Sequence, residues 1–148
     1  MKLYIINGPN LNMLGIREPE KYGKENYSSL LSLIDAHCKA LGIECVFYQS
    51  NHEGDLVDKI HEAYFEKADG IVINPGAYTH TSIALLDALM AVRIPTVEVH
   101  ISKVEEREEF RQVSYLRSAC VATLTGRGLK GYTDACDILL EKINESHN

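Results

Sequence analysis

The chain has 148 residues, 45% hydrophobic and 24% charged, and its 15 basic and 21 acidic side chains leave a net charge of −6. That length suits one domain, residues 1–148, with a core of its own, and the acidic balance argues against a nucleic-acid partner, which needs a basic face. No apolar run reaches the ~18 residues of a membrane span, and the first residues enter a strand with no signal-peptide pattern, so a cytoplasmic protein is expected.

Leu3 to Ile6 is an unbroken apolar run and reads as a buried first strand. It stops at Asn7-Gly8-Pro9-Asn10, which favours a turn. About a dozen residues without helical or strand period follow, punctuated by Gly15 and Pro19 and carrying Arg17 and Tyr22. A long irregular connection of this kind is a candidate lid over a site. Tyr27, Leu30, Leu31, Ile34, Cys38 and Leu41 then fall at helical spacing, with Gly42 placed to end the helix. Ile43 to Tyr48 is a second strand. Asn51 to Asp55 opens a second helix with Leu56, Val57, Ile60, Ala63 and Tyr64 on one face.

Gly70 to Ile73 is the third strand, followed by the turn Asn74-Pro75-Gly76-Ala77-Tyr78-Thr79-His80. Thr79 or Thr81 is positioned to cap the next helix. That helix, Ser82 to Val92, is apolar nearly all round with Asp87 as its only charge, so both of its sides should be covered, the second by another subunit. Thr96 to Val99 is the fourth strand. The charge-rich stretch 103–111 reads as a short exposed helix, Ala119 to Leu124 as the fifth strand, and Thr133 to Asn144 as a closing helix with Ala135, Cys136, Leu139 and Ile143 inward. Cys38, Cys45, Cys120 and Cys136 lack C-x-x-C spacing and are expected as reduced core thiols.

Five apolar strands alternating with helices imply an α/β, doubly wound parallel sheet, for which the order 2-1-3-4-5 is the common choice. Ligands in such sheets bind beyond the carboxyl ends of the strands, where the strand order reverses. The polar residues following strands one, three and four are Asn7 to Asn10, Asn74 to His80, and His100 with Ser102, and the sheet should gather them at one rim.

Gly126-Arg127-Gly128-Leu129-Lys130-Gly131 matches GxGxxG, but no later strand supplies the acidic ribose ligand, so its glycines are assigned to a tight strand-to-helix turn. Glu98 and His100 share one face of a strand without a third metal ligand at recognisable spacing, so no metal is expected. Tyr22 and Arg17 suggest a base. Bringing a tyrosine from about 10 down by ~3 units takes about 4 kcal/mol, and one arginine ~4 Å away supplies about that much at an effective dielectric of ~20. Desolvation opposes it, so a second cation is expected, with Arg107 and Arg111 as candidates.

These motifs together resemble the type II dehydroquinase (3-dehydroquinate dehydratase) family. The likeness runs over essentially the whole chain. It includes Asn7 to Asn12, Gly15 to Pro19 with Tyr22-Gly23, Asn74 to Ser82, Glu98 to Ser102, Arg107 to Arg111 and Gly126 to Tyr132. Lys103 stands where the family usually has asparagine. The resemblance implies a flavodoxin-like fold and trans elimination of water from 3-dehydroquinate, in the shikimate pathway of aromatic amino-acid biosynthesis, with no cofactor. It implies Tyr22 as phenolate base, Arg17 as its activator, and Asn10 fixing the water that holds the enolate. His100 would be the general acid, oriented by Glu98. Asn74, His80, Ile101, Ser102 and Arg111 would bind substrate, with Asp87 reaching in from a neighbouring subunit of a dodecamer built from trimers. A non-catalytic flavodoxin-like module binding a flavin or phosphorylated ligand is the competing reading; too few glycines and hydroxyls in the first loop speak against it.

Overall fold

The computed structural model describes residues 1–16 and 25–147. Five parallel strands, β1 (Lys2–Asn7), β2 (Glu44–Gln49), β3 (Gly70–Asn74), β4 (Thr96–His100) and β5 (Ala122–Thr125), form one sheet in the order β2-β1-β3-β4-β5. Four helices, α1 (Tyr27–Ala40), α2 (Glu53–Phe65), α3 (Ile83–Val92) and α4 (Lys130–Ser146), cover it. The expected fold class and strand order are those observed.

Side chains leave a strand alternately to its two faces, and that parity divides the core in two. Leu3 and Ile5, Val72, and Val97 and Val99 pack with Leu30, Ile34 and Cys38 of α1 and with Tyr132, Ala135, Cys136, Leu139 and Ile143 of α4. Tyr4 and Ile6, with Ile71 and Ile73, pack with Leu56, Ile60 and Ala63 of α2 and with Leu85, Ala88 and Leu89 of α3. β1, β3 and β4 are buried along both faces, which is why β1 and β3 read as continuous apolar runs, while β4 (Thr96-Val97-Glu98-Val99-His100) buries polar groups of its own. β2, at the sheet edge, is only partly buried.

Several expectations need correction. Neither Thr79 nor Thr81 caps α3; Ser82 Oγ accepts from the Leu85 N–H at 3.0 Å, because Thr79 is drawn elsewhere. Residues 103–111 are no single helix but two 3-10 turns, Val104–Glu106 and Glu109–Arg111. β5 begins at Ala122 rather than Ala119, since Arg117–Ala119 forms another 3-10 turn. Tyr64 and Leu41 lie exposed at the ends of their helices. α4 starts three residues earlier than expected, at Lys130, which draws Tyr132 into its first turn.

The turns at the carboxyl rim are built to meet. Gly8 N–H donates to the Asn74 carbonyl at 2.7 Å, and a Cβ at Gly8 would lie 2.5 Å from the Pro75 carbonyl oxygen. Only glycine lets the β1 and β3 turns approach this closely. Gly126 and Gly128 have φ of 71° and 61°, and their N–H groups donate to the carbonyls of Ser102 and Ile101 at 3.1 and 3.2 Å. The glycine-rich loop is therefore the turn expected of it, and it ties down the chain leaving β4. The stem of Lys103 packs against Gly126, where a Cβ would meet its Cγ at 2.2 Å.

Candidate active site

The sheet brings the three polar clusters to one rim, but on opposite faces. Asn7 shares the parity of Leu3 and Ile5, and Asn74 that of Val72, so both point to the α1/α4 side. There the Tyr132 hydroxyl donates to Asn7 Oδ1 at 2.6 Å and accepts from Asn74 Nδ2 at 2.9 Å. Asn74 Oδ1 accepts from the Gly76 N–H at 3.1 Å. All three side chains are buried. Burial pushes the Tyr132 hydroxyl well above its ordinary pKa, so it stays a neutral donor.

Glu98 and His100 share the other parity and face α2 and α3. Glu98 is fully buried and His100 is 5% exposed. His100 Nε2 lies 2.5 Å from Glu98 Oε2. Thr79 Oγ1 donates to the same oxygen at 2.8 Å, and Ser114 Oγ reaches Oε1 at 2.8 Å. Desolvation is the largest single influence on Glu98 and pushes its pKa up. The hydrogen bond and charge of His100, with the hydroxyls of Thr79 and Ser114, outweigh it and leave the carboxyl below the usual range. An ionised carboxylate only accepts, so Nε2 carries a proton, and Nδ1 is the atom left to exchange a second one.

The remaining expected site residues are placed as follows. Asn10 sits after β1 with φ 72°, and its N–H donates to Asn51 Oδ1 at 3.0 Å. Gln49 Nε2, at the end of β2, reaches Asn51 Oδ1, Asn12 Oδ1 and the Gly8 carbonyl, so β2 supports the first turn. His80 ends the turn Gly76–His80 with Nδ1 2.7 Å from the Val113 carbonyl. A carbonyl accepts, so Nδ1 is protonated and Nε2 is left for a ligand. Ile101 and Ser102 follow β4. Arg111 donates through Nε to Glu108 at 2.6 Å, which leaves its terminal NH2 groups. Arg107 Nε is 4.0 Å from Glu108. Asp87 lies on the exposed face of α3. Arg17 and Tyr22 lie outside the described residues.

Ser114 and Tyr132 have no site role in the reading of the sequence, and Thr79 appears there only as a helix cap. A lone hydroxyl in a loop has no spacing signal. For Tyr132 a signal existed: it opens α4 on the core-facing side, opposite the two strand-end asparagines.

A doubly wound α/β sheet with a buried carboxylate–imidazole pair at its carboxyl rim, beside the point where strand order reverses, defines a protein equipped for acid–base chemistry. The family model for class II dehydroquinase matches residues 1–140, and the chain belongs to that family. The 3-dehydroquinate dehydratase of Caldicellulosiruptor bescii is 54% identical over 143 residues, 97% of this chain and 99% of that one. A 3-dehydroquinate dehydratase of Clostridium perfringens is 53% identical over 143 residues, again 97% of this chain and 99% of the relative. The crystal structure of type II dehydroquinase from Butyrivibrio crossotus superposes with a TM-score of 0.91 at 57% identity, covering 95% of this chain and 97% of that chain. Among the described residues no helix is long and apolar enough to cross a membrane, and no group of three or more His, Cys, Asp and Glu could hold a metal ion.

Proposed function

We propose that the chain is a hydro-lyase that converts 3-dehydroquinate to 3-dehydroshikimate and water, serving the shikimate pathway of aromatic amino-acid biosynthesis. The observation that carries this reading, in a chain of this family, is the buried Glu98–His100 pair at the rim.

The chemistry asks for two groups in opposite protonation states. The Tyr22 phenolate, with Arg17 as counter-charge, takes the proton at C2 beside the ketone. The electron pair moves onto the ketone oxygen, and the resulting enolate is held through a water positioned by Asn10. His100 gives its proton to the C1 hydroxyl as the C1–O bond breaks and water leaves. The enolate collapses to the enone, and the phenol and imidazole return to their starting states by proton exchange. Glu98 serves this step by stabilising the protonated imidazole before transfer.

Substrate hydroxyls and carboxylate are assigned to Asn74, His80, Ile101, Ser102 and Arg111. The Nε2 of His80 and the NH2 groups of Arg111, which take no hydrogen-bond partner among the described residues, support that assignment. Asp87 is assigned to a neighbouring subunit's site, in trimers that build a dodecamer. Ile83 and Met90, one turn to either side of Asp87, are 57% and 58% exposed in the single chain, which supports a covered face there.

The test is to mix the protein with 3-dehydroquinate and follow the enone absorbance of the product. A steady rise is expected; a flat trace at micromolar protein refutes the reading.

A further inference from the structure

Glu98 has more support than orientation of one imidazole requires. Its two oxygens meet His100, Thr79 and Ser114, and Ser114 Oγ is within 3.0 Å of Oε2 as well as 2.8 Å of Oε1. Thr79 and Ser114 also touch each other, Oγ1 to Oγ, at 2.8 Å. The Arg117 N–H donates to Ser114 Oγ at 3.2 Å. That bond occupies a lone pair and turns the serine proton toward the carboxylate.

Ser114 arrives on a strap rather than on the sheet. Residues 113–117 lie across the turn that follows β3. The Tyr115 N–H donates to the Thr79 carbonyl at 2.8 Å, His80 Nδ1 donates to the Val113 carbonyl, and Leu116 is fully buried in the α2/α3 core. The strap is pinned on both sides of Ser114, which fixes the hydroxyl over Glu98.

We propose that Ser114 and Thr79 are positioning residues for the proton transfer at His100, their two hydroxyls holding the Glu98 carboxylate as the fixed acceptor of the imidazole Nε2–H. The inference rests on the acid role given to His100 above. It assigns a catalytic purpose to a loop that contributes nothing to the sheet. It also couples His80 to the acid, because the strap that His80 grips is the one that delivers Ser114. Among the described residues Cys120 also lies near Glu98; burial and the carboxylate push its thiol up to about 12, so it stays neutral and adds no charge.

The experiment compares the full-length protein with Ser114→Ala, Ser114→Thr and Thr79→Val. Ser114→Ala and Thr79→Val are expected to lower kcat about tenfold, the weight of one hydrogen bond to a charged group, with KM within about twofold. With a donor gone, the carboxylate is easier to protonate, so the midpoint of its own titration moves up. Ser114→Thr keeps the hydroxyl and is expected to restore both. The carboxyl carbon of Glu98, followed by NMR through an acid titration, is expected to show the same upward shift in its midpoint, whether or not the protein turns over. An unmoved Glu98 midpoint in both hydroxyl-deleted variants, or a kcat unchanged in both, overturns the proposal. Should wild-type protein leave 3-dehydroquinate unchanged, the dehydratase reading fails by itself, and the Glu98 midpoint still decides whether the hydroxyls hold the carboxylate.

Discussion

The two faces of the sheet end at the same rim in contrasting polar networks. On the α1/α4 face, Asn7, Tyr132 and Asn74 form a neutral chain of two amides and a phenol. On the α2/α3 face, Glu98 is an ionised carboxylate enclosed by His100, Thr79 and Ser114. Both are buried, where an unpaired polar group is costly, and among the described residues the Asn7 Nδ2 in the neutral chain has no partner. The neutral chain has nothing to titrate near neutral pH and links the ends of β1 and β3 to the first turn of α4. The charged hub stores a negative charge that only its partners make tolerable, and so it can hold or release a proton. A buried network that fixes geometry and one that moves protons differ in whether a charge is kept inside.

Substitutions should separate the two. The largest expected effect is on turnover, from the charged side. Glu98→Gln should cut kcat about 10^2- to 10^4-fold, the usual weight of general acid catalysis, while leaving the neutral chain intact. Steady-state kinetics with 3-dehydroquinate checks it. On the neutral side the expected loss is in stability. Tyr132→Phe strands Asn7 Oδ1 and one Asn74 N–H, and should cost about 2–6 kcal/mol in urea unfolding at about 1–3 kcal/mol per stranded group, with a much smaller fall in kcat than Glu98→Gln gives.

Acid should act on only one of the two networks. The folded-state pKa of Glu98 is depressed, so its contribution to stability is complete above the ordinary carboxylate range and fades as pH falls through the depressed value. Wild-type protein should therefore lose stability on acidification more steeply than Glu98→Gln, by unfolding at a series of pH values, and Tyr132→Phe should leave that slope unchanged. The smallest effect is expected away from both networks: Ser82→Ala removes the cap of α3 and should cost about 1 kcal/mol.

Much of this was legible in the residues. The apolar runs at 3–6 and 70–73 are buried on both faces, and that is what an unbroken run signals; residues 96–99 are buried as well, although Thr96 and Glu98 interrupt the run. The rule that ligands gather where strand order reverses pointed to the rim at which the structure gathers Asn7, Asn74, Glu98 and His100. Misreadings fell where apolar character and structure part. Ala119-Cys120-Val121 looks like strand, yet it forms the exit from a 3-10 turn, with Val121 46% exposed. Charged residues at 103–111 suggested a helix, but the segment packs as two tight turns with Val104 buried. Thr79 has the chemistry of a cap and the position of one, and only the buried carboxylate of Glu98, nineteen residues on, accounts for its use elsewhere. Strand parity would also have placed Asn74 and Glu98 on opposite faces, which a reading by clusters along the chain does not reveal. Contacts such as Ser114 to Glu98 depend on how the strap folds back, and no local pattern encodes that.

The most direct measurement of the central claim, that the α2/α3 face supplies the proton that expels the hydroxyl, is turnover by His100→Asn set beside its affinity for the substrate. Turnover lower by about 10^3-fold with Kd within a fewfold of wild type is the predicted result. Turnover close to wild type would contradict the account, whatever happened to binding.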